Sequence, residues 1–110
     1  MFIGLIRTLC NRDESVRVLR VFSSLLGQNG YEYWSEILAN CANDLALQTS
    51  IRGVFTSWKN INRLIGGWGS LTDQLPLRDN RWHEGRRIPY SELTEIEKAY
   101  VGFLKFFSHG

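Results

Sequence analysis

Leu93-Thr94-Glu95-Ile96-Glu97-Lys98-Ala99-Tyr100-Val101-Gly102-Phe103-Leu104-Lys105-Phe106-Phe107 carries the plainest structural signal in the chain. Thr94 and Glu97 have the spacing of a capping box, in which a threonine hydroxyl and a glutamate three residues later satisfy each other's free backbone amides. Behind that start, Leu93, Ile96, Tyr100, Phe103, Leu104 and Phe107 recur at three- and four-residue intervals, the period of one face of an α-helix. A helix beginning at Ser91 or Thr94 and running to about Ser108 is predicted. Its aromatic face requires other apolar faces to bury it.

The rest of the chain supplies them. Residues 2 to 10 read as a short helix. From Asp13 or Ser15 a clearer one carries Val16, Leu19, Phe22 and Leu26, closed by Gly27 with Asn29-Gly30 as the turn. Tyr31 to about Leu47 places Trp34, Ile37, Leu38, Cys41 and Leu45 on one face, with Glu32, Glu36, Asn40 and Asn43 elsewhere. Thr49 or Ser50 can cap a further helix bearing Ile51, Val54, Phe55, Trp58, Ile61, Leu64 and Ile65 as far as Gly66. Gly53 weakens it by up to ~1 kcal/mol, too little to cancel such a stripe. Beyond Gly66 come glycines, Pro76, a charged run and Pro89, read as irregular chain with room for one short element around Leu71 to Leu77. The expectation is all-α: residues 1–110 as one small bundle of four to five amphipathic helices, with a long irregular loop near residues 66–90. A loop of that length inside a domain is either functional or conceals an element.

Composition narrows the function classes. Thirteen Lys and Arg against eleven Asp and Glu leave a net charge of +2, too even for the one-sided field of a dedicated nucleic-acid binder. Ten of those cations are Arg, whose planar guanidinium suits carboxylates and phosphates, in a partner or within the fold. Cys10 and Cys41 are far apart and read as free, buried thiols, which favours a reducing compartment. The opening Met1 to Ile6 run is broken by Arg7 and fails as a signal peptide, and no apolar run reaches the ~20 residues of a membrane span. A cytoplasmic location is the expectation.

Two segments stand apart from helix patterning. Gly66-Gly67-Trp68-Gly69-Ser70, with Asp73 following, points to backbone angles or close approaches that a side chain forbids. A phosphate cradle is one use of such glycines, but no Walker pattern or GxGxxG is present. The favoured reading is a structural turn of Gly66, Gly67, Trp68, Gly69 and Asp73 that plants Trp68 in the core. Between Arg78 and Arg87 lie four Arg, Trp82 and His83. Arg and Trp are over-represented at interface hot spots, so Arg78, Arg81, Trp82, His83, Arg86 and Arg87 are the candidate partner-binding residues. The alternative is a solvated loop tied down by Arg to Asp79, Glu84 and other carboxylates. Catalysis needs converging acids, bases or nucleophiles, and only His83 with a neighbouring acid offers a start. No catalytic residue, metal site or cofactor is assigned. The two Cys and two His stand at isolated positions, without zinc-ligand spacing.

Gly66 to Leu75, GGWGSLTDQL, resembles a GGMGSxND-like signature of small bacterial proteins, preceded by helical segments carrying a Trp such as Trp34. The likeness spans about residues 15 to 77, with Trp68 where the signature has Met and Thr72 where it has Asn. Such short reading frames resemble immunity proteins encoded beside secreted toxins, including those of contact-dependent inhibition. The resemblance implies a non-enzymatic protein that binds one cognate toxin domain and blocks its active site, with no membrane partner, small-molecule substrate or cofactor. Without an acidic block to imitate nucleic acid, a toxin with an acidic or mixed binding face fits better. The competing expectation is a small regulatory or nucleic-acid-binding module using the same loop with Arg7, Arg12, Arg17 and Arg20.

Overall fold

The capping box at Thr94 forms as its spacing requires: Thr94 Oγ1 accepts from the Glu97 amide at 3.3 Å and Glu97 Oε1 from the Thr94 amide at 3.0 Å. In a computed structural model the chain is described over residues 3–65, 69–78, 82–83 and 86–108, with the backbone alone for Asp73, Trp82, His83, Arg86 and Arg87. The described elements are α1 (Ile3–Cys10), α2 (Arg12–Gln28), α3 (Glu32–Leu47), α4 (Ile51–Asn62), α5 (Leu71–Gln74), β1 (Trp82–His83), β2 (Arg86–Arg87), a 3-10 turn (Tyr90–Glu92) and α6 (Glu95–Phe107). The fold is an all-α helical bundle. No helix among the described residues is long and apolar enough to cross a membrane.

Helix α6 is the centre of the bundle. Ile96, Tyr100, Phe103, Leu104, Phe106 and Phe107 are buried, and Phe22 of α2 meets the rings of Tyr100 and Phe103 at 5.7 and 5.3 Å. The last four carbonyls of a helix have no partner within it and must find one elsewhere. Here the helix's own C-cap satisfies the first and the rest of the bundle supplies partners for the others. Leu104 O accepts from the Ser108 amide at 2.9 Å, and Lys105 O from Arg7 of α1 at 3.2 Å. Phe106 O takes Trp58 Nε1 of α4 at 2.7 Å and Thr8 Oγ1 of α1 at 3.3 Å, and Phe107 O takes Asn62 Nδ2 of α4 at 2.6 Å. The C-terminal end of α6 is thereby latched to α1 and α4.

That latch needs backbones in close contact. A Cβ on Gly4 would fall 2.5 Å from Phe106 O and 2.8 Å from Ser108 O, both backbone atoms that cannot step aside. Gly4→Ala is therefore expected to destabilise the protein by about 2 kcal/mol, although alanine is the better helix former. A lowered urea midpoint at unchanged m checks this, and an unchanged or raised midpoint contradicts it.

Helices α2 and α3 form a hairpin around Gly30, whose φ of +86° is one that side-chain-bearing residues avoid. Ser23 and Ser35 each donate to the other's carbonyl, at 2.6 and 2.7 Å, and draw the two helices together. Gly27 is part of this approach and not the cap: α2 continues to Gln28, and Asn29 follows it. Its start also precedes Asp13, because the Asn11 side chain accepts from the Glu14 amide at 3.2 Å.

Three further expectations are corrected. Helix α4, capped by Ser50, ends at Asn62 and not at Gly66, with Leu64 and Ile65 half-buried in turns beyond it. Its buried stripe is Val54, Ser57, Trp58 and Ile61. Phe55 follows Val54 by one residue, about 100° round the helix, and stays 39% exposed, while Ile51 in the first turn is 75% exposed. Both cysteines are free, yet Cys10 is exposed and Cys41 half-buried. Helix α1 buries Gly4, Leu5 and Thr8, and Cys10 lies two residues beyond Thr8, roughly 200° away. Burial, with Asp44 nearby, pushes the Cys41 thiol up to about 11.

Candidate functional site

The stretch read as irregular chain with room for one short element around Leu71 to Leu77 holds that element, α5, and a short strand pair after it. Gly69, at φ +73°, turns the chain into α5, where Leu71 is fully buried and its amide donates to Leu64 O at 2.9 Å. Gln74 ties α5 to the bundle: its Oε1 accepts from Trp34 Nε1 at 3.0 Å and its Nε2 donates to Gly69 O at 3.2 Å. Trp34 of α3 thus serves as a polar clamp as well as core. Of the expected glycine turn, Gly69 and the backbone of Asp73 are described, whereas Gly66, Gly67 and Trp68 lie outside the described residues, as does the Asp73 side chain.

After α5, Leu75 is buried and Leu77 packs against the core, which brings Arg78 to the start of α6. The Arg78 guanidinium donates to both Glu97 carboxylate oxygens, each at 3.0 Å, and the Arg78 amide donates to Oε2 at 2.9 Å. The Arg78 hydrogen bonds, with those from Thr94, hold the Glu97 carboxyl at about 2, against the opposing effect of burial. One carboxylate therefore caps α6 and anchors the incoming chain. On the far side, Ile88 is 2% exposed and Leu93 is buried. The charged run is fastened at both ends.

Between these anchors the backbone forms an antiparallel pair, with Trp82 opposite Arg87 and His83 opposite Arg86. Four of the six candidate binding residues stand in two facing pairs, joined by a connection of two residues. The fifth, Arg81, lies outside the described residues, and so do the side chains of those four. The sixth, Arg78, is engaged with Glu97. Helical periodicity had no means of finding this ion pair, because its partners are nineteen residues apart and belong to different elements.

Of the arginines of the competing nucleic-acid reading, the four outside the loop have intramolecular partners. Arg7 donates to Lys105 O, Arg12 to Gln48 O, Arg17 to both Glu14 oxygens and Arg20 to Asn43 Oδ1. Each retains further N–H groups; Arg7, Arg12 and Arg20 tie separate elements together, whereas the Arg17 pair lies within α2. A groove of about 340 Å³ runs between α2 and α6, floored by Val18, Val21, Leu25, Ala99 and Gly102. Its rim pairs Arg17 with Glu14, and Lys98 with Glu95 at 3.7 Å. Among the described residues no three His, Cys, Asp or Glu side chains gather as metal ligands would. No family model, curated protein or solved structure matches the chain.

Proposed function

We propose that this protein is a binding module that caps one protein partner, a bacterial toxin domain as in the immunity proteins it resembles, through the 79–87 hairpin. The observation that carries the reading is the placement of Trp82, His83, Arg86 and Arg87 in facing pairs between two anchored flanks. A segment held at both ends loses less entropy on binding than a free loop, and Trp with Arg supplies contact area with directed hydrogen bonds. Arg81, Trp82, Arg86 and Arg87 make the contacts in this reading, with Arg78 as the anchor that sets their position. The hairpin's cationic side chains suit an acidic or mixed face on the toxin.

The test is affinity capture of the tagged chain from its own host at moderate salt, followed by identification of what is retained. A stoichiometric protein ending in a toxin-like domain is expected. Alanine at Arg81, Trp82, Arg86 and Arg87 together should weaken its binding by at least about 100-fold, with little change in thermal stability because Arg78 and Ile88 stay in place. Neutralisation unaffected by those four changes would refute the assignment of the hairpin. Recovery of nucleic acid that washes off steeply with salt would refute the protein partner itself.

A further inference from the structure

The groove between α2 and α6 combines an apolar floor with a rim whose charges do not cancel. Its volume of about 340 Å³ falls in the range of sites that hold small ligands. Val18 packs against Gly102, where an added Cβ would meet Val18 Cγ1 at 3.6 Å, and Ala99 lies one turn before Gly102. Two small residues on α6 thus keep the floor low beside Val18, Val21 and Leu25. On the rim, Glu14 accepts from Arg17 through both oxygens and Glu95 pairs with Lys98 at 3.7 Å, so both carboxylates are compensated. Lys105 has no ion-pair partner among the described residues.

Arg7, just ahead of α2, meets Lys105 O near the end of α6, so the two helices run in opposite directions. Arg17 and Lys105 therefore stand at one end of the floor, and Leu25 with Tyr90 at the other. We infer that this groove binds a free medium-chain fatty carboxylate, its head on Lys105 and its acyl chain laid along the floor towards Leu25. One uncompensated cation matches one negative charge. Arg17 uses Nε and Nη2 on Glu14 and keeps Nη1 for a second hydrogen bond to the same head group. The floor side chains offer no hydrogen bond, so the body of the ligand is apolar, and a trough of about 10 Å from Val18 to Leu25 suits a single unbranched chain.

Titration of the full chain with octanoate and decanoate, followed by the NMR shifts of its backbone amides, tests this. A dissociation constant on the order of 1 mM is expected for octanoate. Decanoate should bind about four-fold more tightly, because each added methylene is covered on one side only and contributes about two-fold. The shifts should concentrate on residues 17–25 and 98–106. No saturation up to about 10 mM overturns the inference, as does a pattern centred on the exposed Ile3, Ile6 and Leu9 of α1. Octylamine carries a similar chain with the opposite charge and should bind at least about five-fold more weakly than octanoate; equal binding overturns the inference too. Lys105→Glu should weaken octanoate at least about five-fold and favour octylamine instead. Val21→Asp puts a carboxylate on the floor at a position 40% exposed and should abolish octanoate binding with the thermal transition retained. Octanoate binding that survives both substitutions overturns the inference.

Discussion

Trp58→Ala is expected to remove about 4 kcal/mol of stability, a large share of the roughly 5 to 15 kcal/mol available to a domain of this size. Trp58 is 1% exposed and the largest of the fully buried side chains among the described residues. Truncation leaves a cavity that neighbouring helices cannot close without moving. It also removes the 2.7 Å hydrogen bond to Phe106 O, leaving that carbonyl only the 3.3 Å contact from Thr8, whose single hydroxyl proton is shared with Gly4 O at 2.9 Å. Trp58→Phe separates the two effects. It keeps most of the ring volume and loses the donor, so a smaller cost of about 1 to 2 kcal/mol is expected. Urea denaturation of the three proteins measures both quantities. If Trp58→Ala cost less than about 1 kcal/mol, the contact of α4 with the end of α6 would not be what holds the bundle together.

The contrast between Trp58 and Phe55 shows what periodicity can read. A repeat of three and four residues identifies a helix and roughly half of its circumference, and Val54, Trp58 and Ile61 fall well inside that half. Phe55 and Ile51 fall at its margin, where exposure depends on where the neighbouring helix ends, which is tertiary information. Cys10 differs for the same reason, since an eight-residue helix has too few turns for its inner face to be distinguished when nearly every position is apolar. Local chemistry reads more sharply. Of the two starts open to α6, Ser91 and Thr94, the helix takes the one that the Thr94 and Glu97 box marks, because both of its partners lie within one turn.

The candidate site was legible as composition and not as geometry. Clustered Arg and Trp marked residues 78 to 87 as unlike the remainder, but nothing in their order separates Arg78, which pairs with Glu97, from Arg86 and Arg87, which stand on a strand. Two-residue strands have too little alternation to register in a sequence pattern. The pairing partner of Arg78 was visible as the N3 residue of α6, already accounted for by its cap. A carboxylate has two oxygens and about four acceptor positions, so one local role leaves capacity for a distant one.

That double role makes the stability of the fold depend on pH through Glu97. Its carboxyl is held at about 2, against an ordinary 4.5, so the folded state binds its proton less readily than the unfolded state does. The stability this contributes is complete above the unfolded value and drains away as pH falls from about 5.5 towards 2. Its size is at most about 3 kcal/mol, because Arg78 on the outer side of the pair remains in contact with water. Glu97→Gln keeps one oxygen to accept from the Thr94 amide but has no charge for Arg78. It should therefore be less stable than the parent by about 2 kcal/mol at pH 7, and the difference should close as the pH approaches 2. Denaturation midpoints of both proteins across that range decide it. A difference that persists unchanged at low pH would mean that shape and capping, and not the ion pair, are what Glu97 contributes. In the proposed function Arg78 anchors the chain that enters the hairpin, so on that proposal Glu97→Gln should weaken partner binding at pH 7 even at temperatures where the variant is fully folded. Trp58→Ala, acting on the latch formed by α1, α4 and α6, should lower stability without that loss.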